Sequence, residues 1–234
     1  MRLVQLREQV LRANLELVKR GLVLYTFGNA SAISRSERLV VIKPSGVPYE
    51  RMDVDDLVIT DLDGIVIEGS LKPSSDLPTH LVLYREFKEI GAVVHTHSEY
   101  ATAWAQARKP IPALGTTHAD YFHGSVPVTE EMTAGEISDG YERNTGEVIA
   151  RRFKGIDPLT SPAVLVANHG PFVWGRDSEE AVHNAVVLEA IARMAYLTVS
   201  INGQAEGIDR ALHDKHFNRK HGRSAYYGQA GDKQ

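Results

Sequence analysis

The sequence contains no cysteine among its 234 residues. Disulfides are excluded, and so are a thiolate nucleophile and a thiolate metal ligand. Any metal site must therefore use imidazole and oxygen. No run approaches the roughly 18 apolar residues of a membrane span, so none is expected. Charge of neither sign dominates: 26 basic and 30 acidic residues leave a net charge of −4. That balance gives no reason to expect nucleic acid or an acidic membrane as a partner. No G-x-G-x-x-G or P-loop pattern occurs. The opening stretch "MRLVQLREQVLRANLELVKR" carries Glu8 and Glu16 and lacks an uninterrupted apolar region with a small-residue cleavage site. It reads as an amphipathic helix rather than a secretory signal, and the expected location is cytoplasmic.

What is present is ordinary for a globular enzyme: 43% apolar and 24% charged residues. The length suggests one domain, at most two, with enough chain to bury a core. Leu3, Leu6, Val10, Ala13 and Leu17 stand at helical spacing, with Gly21 as a stop. "LVVIK" (39–43) predicts a short strand ended by Pro44, Ser45 and Gly46, and "LVIT" and "IVIE" around "DLDG" predict a hairpin. Helices are predicted over 78–89, over 98–108 with Ser98 as N-cap, over 133–152 opening on a Thr133/Glu136 capping box, over 178–200 and over 208–220. "GAVVHTH" and "AVLVANHG" (163–170) predict apolar strands that end on polar residues. One α/β domain with a mixed sheet fits this order.

Ten histidines is a high share for this length. In a strand, side chains alternate faces, so His95 and His97 point the same way. His169 ends a second apolar strand and is followed by Gly170. Two strand ends presenting three imidazoles could supply a catalytic metal site with an open position. Equally, polar residues belong at strand ends, and the spacing alone does not show that the two ends meet.

Three loops could hold an anion: "FGNAS" (27–31), "KPSG" (43–46) and "KPSSD" (72–76). Backbone N–H groups at glycine turns and helix starts bind phosphate. Ordinary turns use the same residues. Asp76 can be an N-cap for the helix beginning near Pro78, or a carboxylate beside a metal. Asp120 falls on an apparent loop, "GTTHADYFHG", as a functional acid or a solvated one.

The segments "GNAS", "IKPSGVPY", "KPSSDLPTH", "VHTHSEYATAWAQA", "GTTHADYFHG", "NHGPFVWG", "AVHNAVVLE" and "DKHFNRKHGRSAYYGQ" together resemble the class II aldolase/adducin family, in order from about residue 5 to 229. "SSD" at Asp76, "THADYF" and the "AYYGQ" tail resemble its sugar-phosphate epimerase branch; the related aldolases typically carry Glu in place of Asp76. The resemblance implies a single α/β/α domain over residues 1–234 around a mostly antiparallel sheet. A C-terminal tail from about residue 222 would reach the active site. It implies a C4 homotetramer with active sites at subunit interfaces, and a divalent metal, normally Zn2+, held by His95, His97 and His169 with Asp76 beside or on it. Mn2+ or Co2+ would fit the same donors. Gly28, Asn29, Ser45, Gly46, Ser74 and Ser75 would bind a sugar phosphate, with Lys43 adding charge and His216 nearby. Asp120 and Tyr227 would be the proton-transfer pair, Tyr227 coming from a neighbouring subunit. The implied reaction is epimerisation at C4 of a ketopentose phosphate by retro-aldol cleavage of C3–C4. A related aldolase and a non-catalytic adducin-like module are the alternatives.

Overall fold

A computed structural model describes residues 2–222 and 225–227. Along the chain run α1 (Val4–Lys19), β1 (Gly28–Ser34), β2 (Leu39–Ile42), β3 (Val58–Asp61), β4 (Val66–Glu68), α2 (Leu77–Glu86), β5 (Ala92–Thr96) and α3 (Glu99–Gln106). Then follow α4 (Thr116–Ala119), α5 (Ala134–Ser138), α6 (Tyr141–Arg152), β6 (Ala163–Leu165), β7 (Pro171–Gly175), α7 (Ser178–Ile201) and α8 (Arg210–His221). The strands form one sheet in the order β4-β3-β2-β1-β5-β7-β6.

Every ladder in that sheet is antiparallel, where the residue pattern predicted a mixed one. The reason is local. β1–β2, β3–β4 and β6–β7 are hairpin neighbours, and short turns can join only antiparallel strands. Among the described residues, the one parallel contact is an isolated bridge between Val128 and Leu165.

Helices cover both faces, as the α/β/α expectation requires. Successive strand residues serve opposite layers. Val41, Ile59 and Val94 pack with Val10 and Leu17 of α1 and Leu188 of α7. Val40, Ile42 and Val93 pack with Leu81 and Leu83 of α2 and Ile149 of α6. Strands buried on both sides read as continuous apolar runs, which is why "LVVI" and "AVV" carry no alternation. α7 has the length and composition to cross a bilayer, with a mean hydropathy of 1.3. Its Ala181, Ala185, Leu188 and Ala192 are buried against the sheet.

The predicted helix over 133–152 is broken. Its capping box forms, but α5 stops at Ser138 and α6 restarts from Gly140, whose φ of 82° is left-handed. The predicted strand over 163–170 stops at Leu165. Residues 166–170 turn tightly, with Asn168 at φ 62°, and β7 returns beside β6. His169 thus sits in a hairpin turn rather than on a strand end. "FGNAS" is not a loop either: Gly28 to Ser31 belong to β1. Ser98 occupies the N-cap position of α3 without a side-chain bond. Glu189 of α7 does that work, accepting from the amides of Tyr100 and Ala101 at 2.8 and 2.9 Å.

Candidate metal centre and active site

β5 lies between β1 and β7, with Asn29 and Phe172 as the two register partners of His95. This pairing brings the 166–170 turn to the end of β5. The rings of His95, His97 and His169 gather with centroids 4.8 to 5.1 Å apart, and one nitrogen of each lies within 4.8 Å of the others. Nδ1 of His95 donates to the Pro171 carbonyl at 2.9 Å, which leaves its Nε2 with a bare lone pair. That atom stands 3.1 Å from Nε2 of His97. Ligand nitrogens around a tetrahedral zinc are about 3.3 Å apart, given bonds near 2.0–2.1 Å, so the residues present fit a divalent cation. Phe172 stacks on His95 at 4.2 Å, and Tyr141 Oη stands 3.4 Å from Nδ1 of His169. Neither residue was singled out in the sequence.

Burial, then the neighbouring His169 and His97, hold His95 well below the usual imidazole range. Burial also lowers His97 and His169, against the opposing pull of Asp76. All three rings are therefore neutral donors at neutral pH, as metal ligands must be.

Gly28 enters β1 at φ 141°, and a side chain there would meet the His95 carbonyl at 3.0 Å. Next to it, Asn29 is buried and donates to Asp76 at 2.7 Å, while its Oδ1 has no partner among the described residues. Asp76 stands at the N-cap of α2 but makes no capping bond; its carboxylate is turned to Asn29 instead. The two "KPS" segments pair with each other. Pro44 bridges Pro73, Ser45 N donates to the Lys72 carbonyl, and Ser74 N donates to the Lys43 carbonyl. Consequently Gly28, Asn29, Lys43, Ser45, Gly46, Ser74, Ser75, Asp76 and the three histidines line one cavity of about 340 Å³. Lys43 is buried, and its Nζ donates to the carbonyls of Pro44 and Val47. Burial lowers its pKa.

Behind this wall, His80 is wholly buried, with Nδ1 on Ser31 Oγ at 2.7 Å and Nε2 unpartnered. Burial pushes it down to about 3. The unfolded chain would bind a proton near pH 6.5 that the folded chain refuses until about 3. Stability is thus complete above the unfolded pKa and falls as pH drops through that window, by up to about 5 kcal/mol at 1.36 kcal/mol per unit. His80→Phe should flatten that part of the pH profile in urea unfolding; an unchanged slope would show that His80 does not set it.

The remaining expected residues lie elsewhere in the chain. Asp120 caps the C-terminal end of α4 and takes both guanidinium arms of Arg219, at 2.9 and 2.6 Å, and Nδ1 of His216 at 3.0 Å. Burial alone would raise it, but these bonds and the charges of Arg219 and Lys220 outweigh burial and hold it below the ordinary carboxylate value. Tyr227 is 60% exposed, with Arg219 at 5.0 Å and Lys220 at 4.5 Å from its ring centre. None of Asp120, His216 and Tyr227 lines the histidine cavity. Arg219 was missed by sequence reasoning. Its i+3 spacing from His216 on a helix was the available signal. The rest of the expected tail, residues 223–224 and 228–234, lies outside the described residues.

The profile of the Class II Aldolase and Adducin N-terminal domain matches residues 8–196. The chain belongs to the class II aldolase and adducin family. Members of this family act on sugar phosphates with a divalent metal. Within the family, the chain is 55% identical over 225 residues to the L-ribulose-5-phosphate 4-epimerase UlaF of Salmonella paratyphi B, covering 96% of this chain and 99% of the relative. The Salmonella typhi enzyme of the same name matches to the same extent. Among solved structures, an L-fuculose 1-phosphate aldolase superposes with a TM-score of 0.78 at 27% identity, over 92% of this chain and 95% of that one.

Proposed function

We propose that this chain is a metal-dependent L-ribulose-5-phosphate 4-epimerase. The observation that carries the reading is the 55% identity to curated epimerases along nearly the whole of both chains. It is supported by a cavity that joins a three-histidine centre to two turns rich in hydroxyls and backbone N–H groups.

C4 of the substrate is not α to the ketone, so its proton is not acidic enough for direct removal. Cleaving C3–C4 avoids the problem. The C4 hydroxyl gives up its proton, glycolaldehyde phosphate separates from the enediolate of dihydroxyacetone, and the aldehyde rotates and re-adds by its other face. His95, His97 and His169, with Asp76 alongside, would hold the divalent ion, zinc in this proposal. Its Lewis acidity supplies charge stabilisation for the enediolate. Ser45, Gly46, Ser74 and Ser75, with Lys43 behind them, keep hold of the phosphate while the aldehyde turns. Asp120, ionised at neutral pH, accepts a proton, and the Tyr227 hydroxyl donates one on the opposite face.

Neither residue lines the cavity of its own chain, which supports a site completed by a second copy. We assign a C4 homotetramer that brings Tyr227 of one subunit to the histidines of the next. The rival reading is an aldolase, favoured by the superposition on the fuculose phosphate enzyme. Asp76 argues against it, because the aldolase branch typically places Glu there.

The two readings separate by product. NMR of the reaction is expected to show D-xylulose 5-phosphate, and a strong chelator is expected to abolish its formation. Free dihydroxyacetone accumulating instead would establish the aldolase, and full turnover in chelator would remove the metal from the mechanism.

A further inference from the structure

We infer that His123, His213 and Asp214 form a second divalent-cation site that takes zinc and pins α8 to the segment following α4. One donor atom from each lies within 4.8 Å of the other two. Oδ1 of Asp214 is 3.6 Å from Nε2 of His123 and 3.7 Å from Nδ1 of His213. A tetrahedral zinc with bonds near 2.0–2.2 Å separates its ligand atoms by about 3.3–3.5 Å; both separations from Asp214 are within a few tenths of an ångström of that, and the two imidazole nitrogens, within 4.8 Å of each other, reach it by side-chain rotation. Water would fill the fourth position, because His123 opens to solvent.

The surroundings leave these atoms available. His213 is buried, and its Nε2 lies between the amide of Gly124, at 3.0 Å, and the carbonyl of Phe122, at 3.2 Å. When Nε2 carries the proton it donates to Phe122 and leaves the Nδ1 lone pair facing Asp214. Metal binding would select that tautomer, at the cost of the Gly124 hydrogen bond. The ring of His123 rests on Phe217 at 5.0 Å, and its backbone N–H is tied to the Thr160 carbonyl, so its approach is already directed. The competing cation on Asp214, Arg210, stands 3.5 Å from the other oxygen, Oδ2, with its side chain 93% exposed.

The site joins two segments that also hold Asp120. His123 follows Asp120 by three residues, and Asp214 precedes His216 by two. A cation here would therefore brace α8 in the position from which His216 and Arg219 grip Asp120.

The test uses zinc alone with the full chain, dialysed against micromolar zinc and measured for metal content and thermal unfolding. The expected result is two zinc ions per wild-type chain and one in either His123→Ala or Asp214→Asn. Affinity at the lost site should drop by more than about 100-fold, since even outer-shell losses cost about 10–100-fold. In a His97→Asn background, which disables the first centre, zinc should still raise the unfolding temperature, and adding His123→Ala should remove that rise. One zinc per wild-type chain would overturn the proposal, as would a second equivalent that survives in both His123→Ala and Asp214→Asn. Loss of the first centre in His97→Asn is read independently from the other equivalent.

Discussion

His97→Asn is expected to empty the three-histidine centre and to lower turnover of L-ribulose 5-phosphate by at least about 10³-fold. The estimate follows from the several kcal/mol of charge stabilisation that a Lewis acid contributes, at 1.36 kcal/mol per tenfold in rate. His97 is the right member to change. His95 is buried and stacked on Phe172, and replacing it would disturb the sheet, whereas His97 stands at the open end of β5. Its removal also dissolves the close approach of two Nε2 atoms at 3.1 Å, which is tolerable only with a proton or cation between them. Metal analysis, circular dichroism and turnover should then separate cleanly: metal and activity fall, helix content and unfolding temperature in chelator do not. A variant that keeps both its metal and its rate would show that the three imidazoles are not the centre.

The second large effect concerns the proton-transfer pair. Asp120→Asn and Tyr227→Phe should each lower turnover by about 10²–10⁴-fold with metal still bound. Tyr227→Phe tests the assembly as well as the chemistry. A tetramer mixed from His97→Asn and Tyr227→Phe chains pairs some intact histidine centres with some intact tyrosines, but only if the two come from different copies. Random mixing under four-fold symmetry would restore about a quarter of the sites. If Tyr227 served the cavity of its own chain, every site would carry one lesion and mixing would restore nothing. For Asp120→Asn, loss of the bidentate Arg219 contact is a further consequence, since the partly exposed guanidinium would be left facing a neutral amide. Retained rate in Asp120→Asn would move the proton acceptor to another group, with His216 the nearest candidate at 3.0 Å.

How much of this was legible in the chain varies by element. Helices α1, α7 and α8 were readable because helical signals are local; the structure adds that Asp177 and Asp209 each accept an N-terminal amide hydrogen bond. β1 was missed because "GNASAIS" has neither a strong apolar run nor clear alternation; it becomes a strand by pairing with β2 and β5 on both sides. β7 was missed because "PFVWG" follows so closely on β6 that one apolar stretch concealed a hairpin. The failure of Asp76 and Ser98 as caps has a common cause, since carboxylates and amides distant in sequence, Asn29 and Glu189, compete for those positions once the layers are packed.

By itself, the sequence determined the family, the absence of any thiolate chemistry, the common face of His95 and His97, and the hydroxyl-rich turns. All of these depend on residue type or on separations of a few residues. Only the tertiary structure decided that His169 joins the pair, because the contact spans 72 positions and rests on the β5–β7 register. Only it set the two "KPS" segments side by side through the Pro44–Pro73 bridge. It also decided that Asp120 is held by Arg219 away from the cavity. Such placements come from strand pairing and helix packing across the chain, which no local spacing encodes.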